Sequence, residues 1–341
     1  MKLIKDFIRF GIPTLAGMTA IFIGAANAYE HDFGNSKAVL SGYGTLGNLS
    51  KSGESAPRLL FDWQARGEYS KSYGGAVLTL NQVSELESRY LQDLFAFFDL
   101  GFGRLEIGHT NSAAQKLSVG LPDAGGLRIN NSFIPYSLQN SPNAIATPAA
   151  NSSSNQIRAQ IVSKPDVFQA GFGAAAPSFD MDGSLDLGMR VKSGTAVKFA
   201  ASLGASHIFN PDGLIAEIYA PRVYADNRSE IALGLNIQYH SWSLGAVGKA
   251  IYDANPTGRP SDGVMYGGGL SYEILTWRVS ANSLRSDTSV FHDCDSGCKN
   301  TVAVLSVQDK LDDIVDIWAS AGEIFSDSNA FFWSVSLRAK F

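Results

Sequence analysis

Past residue 24 the chain has no apolar run long enough to cross a membrane as a helix. It has few amphipathic stretches of helical length and no internal repeat. Basic residues are outnumbered, 27 Lys and Arg against 32 Asp and Glu, for a formal charge of −5, which argues against nucleic acid as a partner. No G-x-S-x-G elbow occurs. Cysteine is nearly missing. Cys294 and Cys298 are the two present, close together in a polar stretch. In an oxidising compartment that spacing reads as a small loop disulfide, ahead of a metal site completed by His292, Asp293 and Asp295.

What the sequence does have begins with a leader. Lys2, Lys5 and Arg9 form a positive segment, Phe10 to Gly24 is apolar, and Ala26-Asn27-Ala28 is an A-x-A cleavage site. The run is short for a membrane span and Pro13 interrupts it. Residues 1–28 are therefore expected to be a cleaved signal peptide and 29–341 a single domain.

A secreted chain without spanning helices can still live in a membrane as a closed barrel, where every backbone group pairs between strands. The last twelve residues support this. Phe331, Trp333, Val335, Leu337, Ala339 and Phe341 alternate with Phe332, Ser334, Ser336, Arg338 and Lys340. Period-2 alternation puts a greasy face and a wet face on one strand. A barrel's closing strand needs both, one for lipid and one for the lumen.

The same alternation recurs along the chain. Leu59 to Tyr69, Gly103 to Gly108, Ser184 to Lys192, Thr195 to Ser206 and Glu230 to His240 each separate Leu, Ile, Phe or Val from Arg, Asp, Glu, Lys or Gln. About sixteen strands are predicted. Connections mostly alternate short and long, as in barrels with tight turns at one rim and loops at the other. Leu187, Phe199, Leu233 and Leu337 should face lipid; Arg66, Asp186, Lys198 and Arg338 should face the lumen. Tyr90 to Leu100 is apolar on both faces, so its orientation stays open. Tyr29 to Lys37 reads as a lead-in and Ala38 to Gly47 as the first strand. Within it Gly42-Tyr-Gly44-Thr-Leu-Gly47 matches G-x-G-x-x-G, but a loop and no helix is expected next, so no dinucleotide site and no cofactor is predicted. The longest gap, His109 to about Ser154, holds four prolines and Gly125-Gly126. A structureless stretch of this length is usually functional or disordered.

Gly101-Phe-Gly-Arg-Leu-Glu-Ile-Gly-His-Thr-Asn-Ser-Ala-Ala-Gln-Lys116 resembles the strand and third external loop of the general porins of Gram-negative outer membranes, particularly the alphaproteobacterial type. The terminal strand is similar to their closing strand. This resemblance implies an all-β, sixteen-stranded antiparallel transmembrane barrel, trimeric and water-filled, whose third loop folds inward and narrows the pore. Leu121-Pro122-Asp123-Ala124-Gly125-Gly126 matches the family's Pro-acidic-x-Gly-Gly loop tip in outline, with Ala124 where an aromatic is usual.

Pore selectivity needs charged side chains where the lumen is narrow. The loop offers Lys116, Asp123 and Arg128; polar strand faces offer Arg66, Glu68, Arg104, Glu106 and Arg158. The expected function is passive diffusion of ions and small hydrophilic solutes, with outer-membrane lipid and two further copies of the chain as partners. The competing readings are a barrel hydrolase, for which His109, Asn111 and Ser112 are the available residues, and a structural anchor. Adjacent residues at a strand end rarely converge as a triad, since triads are assembled by geometry.

Overall fold

In the computed structural model the residues described are 30–32, 35–51, 58–83, 88–122, 157–164, 166–175, 183–209, 228–253, 263–288, 299–311, 315–325 and 330–340. Seventeen strands form one antiparallel sheet. They are β1 (Glu30–Asp32), β2 (Ser36–Lys51), β3 (Arg58–Lys71), β4 (Gly74–Val83), β5 (Ser88–Asp99), β6 (Gly103–His109), β7 (Arg158–Ser163), β8 (Phe168–Ala175), β9 (Gly183–Ser193), β10 (Val197–Phe209), β11 (Arg228–Tyr239), β12 (Trp242–Asp253), β13 (Gly263–Ile274), β14 (Trp277–Thr288), β15 (Lys299–Lys310), β16 (Val315–Phe325) and β17 (Ala330–Lys340).

Each strand from β2 to β17 pairs with its sequence neighbours, and β17 pairs with β2 from Ala330↔Lys51 to Lys340↔Ser41. The sheet therefore closes into a ring of sixteen strands with no free edge, the condition for a sheet to sit in hydrocarbon. β1 lies on the same side of β2, from Asp32↔Lys37 to Glu30↔Val39, so it continues the line that β17 begins. The stretch read from sequence as a lead-in thus includes all of β1 and the first two residues of β2. β2 also runs on to Lys51, past the end expected from sequence; Gly42 to Gly47 lie inside it, where G-x-G-x-x-G has no helix to open.

Strand ends fix the two rims. The strand ends joined through 72–73, 100–102, 164–167, 194–196, 240–241, 275–276 and 311–314 lie at one rim. The strand ends joined through 52–57, 84–87, 110–157, 176–182, 210–227, 254–262, 289–298 and 326–329 lie at the other. The alternation is that of an outer-membrane barrel, with short periplasmic turns and longer external loops. β15 extends to Lys310, which leaves four residues before β16.

Burial separates the faces with period 2. On β9, Ser184 and Asp186 are buried while Leu185 and Leu187 are exposed. On β11, Glu230 and Ala232 are buried while Ile231 and Leu233 are exposed. Large apolar side chains point outward because lipid, not water, is their solvent, so an exposed Leu on this wall is no loss. Phe199 shares the outward parity of the exposed Leu203 on β10, and Lys198 the inward parity of Ser202. The side chains of Leu337 and Arg338 lie outside the described residues. Near the turn rim, Tyr69, Phe98, Phe168, Tyr239, Trp242 and Trp277 are exposed on the outer face, an aromatic girdle at a membrane interface. β5 resolves the ambiguity left by sequence: Asp93, Phe95 and Phe97 point inward and Leu94 and Phe98 outward.

Candidate pore constriction

The loop after β6 turns into the barrel. Sequence predicted no structure in it, yet Ala113–Leu117 form a short helix, α1. Ser112 caps it, its Oγ accepting from the Gln115 N–H at 3.1 Å. Ser is a preferred cap because it satisfies one of the orphan N–H groups of the first turn. A second is satisfied from the wall: the Ala114 N–H donates to Asp186 Oδ1 at 3.1 Å. Asp186 on β9 also pairs with Arg158 on β7, and Arg158 Nη2 donates to Ser184 Oγ at 3.0 Å. Beyond the helix the chain is extended. The Val119 N–H donates to Ser202 Oγ on β10 at 2.8 Å, and Asn236 Nδ2 on β11 reaches the Gly120 carbonyl at 3.5 Å. Ala113, Ala114, Leu117, Val119, Leu121 and Pro122 are buried, while Gln115 is exposed.

Charged groups form a ladder on the adjoining wall. Arg66 on β3 lies 3.4 Å from Glu68 and 3.8 Å from Asp93 on β5. Arg104 on β6 is 3.5 Å from Glu106, and its guanidinium sits 3.4 Å from the ring centroid of Phe97, a cation–π contact. Glu106 pairs with Lys116 of α1 and accepts from Gln160 Nε2 at 2.6 Å. The same Gln160 amide donates to the Asn111 carbonyl at 2.9 Å. Lys116 Nζ lies 4.8 Å from the Phe95 centroid. Burial pushes the Lys116 ammonium below the ordinary lysine range; the facing Glu106 carboxylate opposes that shift. Further round the wall, Lys249 Nζ is 3.1 Å from Glu230, which also pairs with Arg228.

Of the residues singled out from sequence, the structure brings Arg104, Glu106 and Lys116 into one cluster and places Arg66 and Glu68 beside it. Arg158 faces inward as expected, but its side chain is only 4 % exposed and holds the loop through Asp186. Asp123, Arg128, Cys294 and Cys298 lie outside the described residues. Asp93 and Gln160 were missed as site residues. Gln160 stood in plain alternation with Ala159 and Ile161; Asp93 sat in a stretch with no readable period. His109, Asn111 and Ser112 do not converge on a reaction centre: Ser112 caps α1, the Asn111 carbonyl accepts from Gln160, and His109 has the outward parity of the exposed Ile107. Among the described residues no group of three or more His, Cys, Asp or Glu could hold a metal ion, and no helix is long and apolar enough to cross a membrane.

A closed antiparallel ring of sixteen strands, greasy outside, with a loop laid across a charged inner wall, is the architecture of an outer-membrane channel. The Gram-negative porin profile matches residues 25–326, and the chain belongs to that family. Among curated proteins no sequence matches it. Several solved structures share the fold. An anion-selective porin from Comamonas acidovorans is 13% identical with a TM-score of 0.63, over 90% of this chain and 100% of that one. OprB of Pseudomonas putida is 10% identical with a TM-score of 0.64, over 90% and 94%. In-vitro folded OmpT of Vibrio cholerae, in a trimer form, is 10% identical with a TM-score of 0.61, over 90% and 99%. The protein is an outer-membrane porin whose barrel encloses a water-filled channel.

Proposed function

We propose that this porin passes ions and small hydrophilic solutes by passive diffusion with weak charge selectivity, and carries out no catalysis. The observation behind this reading is the Arg104–Glu106–Lys116 cluster. It stands where α1 meets the wall, and its two cations share one carboxylate, leaving a net charge of one. Confined charges of both signs screen solutes without binding one ion tightly. The wall residues Arg66, Glu68, Arg104 and Glu106, with Lys116 of the loop, would carry selectivity, and Asp123 and Arg128 would add to it. Arg158 would act by holding the loop.

Residues 1–28 would be removed on export, leaving 29–341 as the barrel, with Cys294 and Cys298 bridged in their loop. Three copies would assemble in the outer membrane. Single-channel conductance and reversal potentials in a salt gradient test the reading. Ohmic steps with a small reversal potential are expected; a folded barrel that conducts nothing would refute it.

A further inference from the structure

The strands that face α1 and the residues after it carry glycine at the points of closest approach. On β9, a Cβ added at Gly188 would lie 2.7 Å from both the Ala113 carbonyl oxygen and the Ala114 Cα. On β8, one at Gly171 would lie 2.9 Å from the Ala113 Cβ. On β11, one at Gly234 would overlap the Val119 carbonyl. On β12, one at Gly245 would lie 2.5 Å from Pro122 Cδ and 3.3 Å from the Leu121 Cα. On β13, one at Gly269 would meet Asn282 Oδ1 first, at 1.8 Å, and would lie in ordinary contact with the Leu121 Cβ at 3.5 Å. All five are inward positions: Gly171, Gly188, Gly234, Gly245 and Gly269 have the parity of buried neighbours on their strands, such as Asp186, Ala232 and Ser271.

Glycine inside a strand weakens it and leaves a side-chain position unfilled, so its recurrence on successive strands marks close approach by another backbone. Here that backbone is the loop's. Between Gly188 and Gly234, on β10, the wall offers Ser202 instead, whose Oγ takes the Val119 N–H. Asn236, two residues past Gly234, reaches the Gly120 carbonyl. The loop thus has space cut for it and hydrogen-bond partners set beside the space. The chain that fills it is made to match. After α1, Val119 and Leu121 are buried, while Ser118 and Gly120 are half-buried.

Resting on the channel reading above, we propose that this glycine groove, running from β8 to β13 across the inner wall, is the positioning device that holds Ala113 to Pro122 flat against the barrel and so sets the bore of the pore. Gly188, Gly234 and Gly245 are positioning residues, acting through the loop and not on the solute. Residues 113–122 seated at wall level take up less of the lumen than the same residues held off the wall. Any side chain in the groove lifts it by the width of that side chain into the channel, or off its seat altogether.

The test uses the full-length barrel with Cys294→Ser and Cys298→Ser as background and reports loop position separately from conduction. A cysteine at the buried Val119 (V119C) and one at the exposed Gln115 (Q115C) are labelled with a water-soluble, membrane-impermeant thiol reagent. V119C should be at least ten-fold slower than Q115C. Adding Gly234→Val or Gly188→Val should bring V119C to within a few-fold of Q115C and change single-channel conductance by a third or more. Gly248→Val, where an added Cβ meets nothing nearer than 3.9 Å, should change neither. Heat-modifiability on gels separates folded barrels from misfolded ones. Should Gly234→Val prove unfolded, the smaller Gly245→Ala is read in its place.

A folded groove variant that keeps V119C protected and the parental conductance overturns the proposal. If V119C becomes reactive while neither parent nor variant conducts, the groove stands and the channel reading is what fails.

Discussion

Arg158 and Asp186 meet across a strand. They stand on β7 and β9, and Gly173 of the intervening β8 leaves the space between them clear: a Cβ there would lie 3.2 Å from both Arg158 Nη1 and Asp186 Cγ. The pair is buried on both sides, with 4 % and 0 % of the side chains exposed. Its carboxylate also takes the Ala114 N–H, so the ion pair that ties three strands together also anchors the loop. Arg158→Met should strand a buried carboxylate and lower barrel stability by about 3–5 kcal/mol, read as a fall in the urea midpoint of the refolded protein. The double variant with Asp186→Leu should recover most of that stability and still show a loosened loop, because Ala114 N–H remains without its acceptor. A single Arg158→Met variant as stable as the parent would show that the pair contributes little.

The outer and inner faces give a direct check on register. Spin labels at 187 and 233 should be quenched by oxygen, and labels at 186 and 198 by a water-soluble nickel chelate. A one-residue slip would exchange the two sets, because the side-chain period of a strand is two. Equal accessibility at all four would rule out the pairing of β9, β10 and β11 described above.

These faces were legible in the sequence because alternation survives wherever one side meets lipid and the other water. The stretch Tyr90 to Leu100 failed that test for a physical reason. Phe95 and Phe97 point inward, against the rule, since Phe97 underlies Arg104 and Phe95 lies beneath Lys116. Those partners come from another strand and from the loop, so no local period could announce them. The five-residue helix α1 is too short for a 3.6-residue pattern, although Ser112 and Gln115 have the spacing of a cap. β1 was hidden for another reason: three residues carry no periodicity, and they pair with Lys37–Val39, whose other side is taken by Arg66–Glu68 of β3. The glycines of the groove were visible throughout, but in a strand they read as weakness until the loop is laid over them.

Leu275 offers a test at the turn rim. It begins the two-residue connection between β13 and β14 with φ at 55°, and its side chain is almost wholly exposed. A leucine in this left-handed region is strained, whereas Asn and Gly adopt it readily. Leu275→Gly should stabilise the hairpin by about 1 kcal/mol, visible as a slower unfolding rate in urea with conductance unchanged. A destabilised variant would mean that the exposed leucine makes a contact with lipid or with another copy that outweighs the strain.

The ion preference of the pore should turn on Glu106 and Lys116. Glu106 faces two cations, Arg104 and Lys116, and neutralising it by Glu106→Gln leaves both without their shared carboxylate. The reversal potential should then move toward anions. Lys116→Met should move it toward cations, and by less, because Arg104 still opposes Glu106. The same pair predicts a pH dependence. Burial lowers the Lys116 pKa from its ordinary value, so the ammonium loses its proton at lower pH than an exposed lysine. Below that pH the cluster keeps two positive charges against one negative. As pH rises through it, one positive charge disappears and the lumen becomes more negative, so selectivity should drift toward cations before ordinary lysines titrate. The drift should shrink in Lys116→Met, which already lacks this titrating group, and persist in Lys249→Met, which removes a different buried lysine. A drift of equal size in all three proteins would place its origin in surface charge and take Lys116 out of the conduction path.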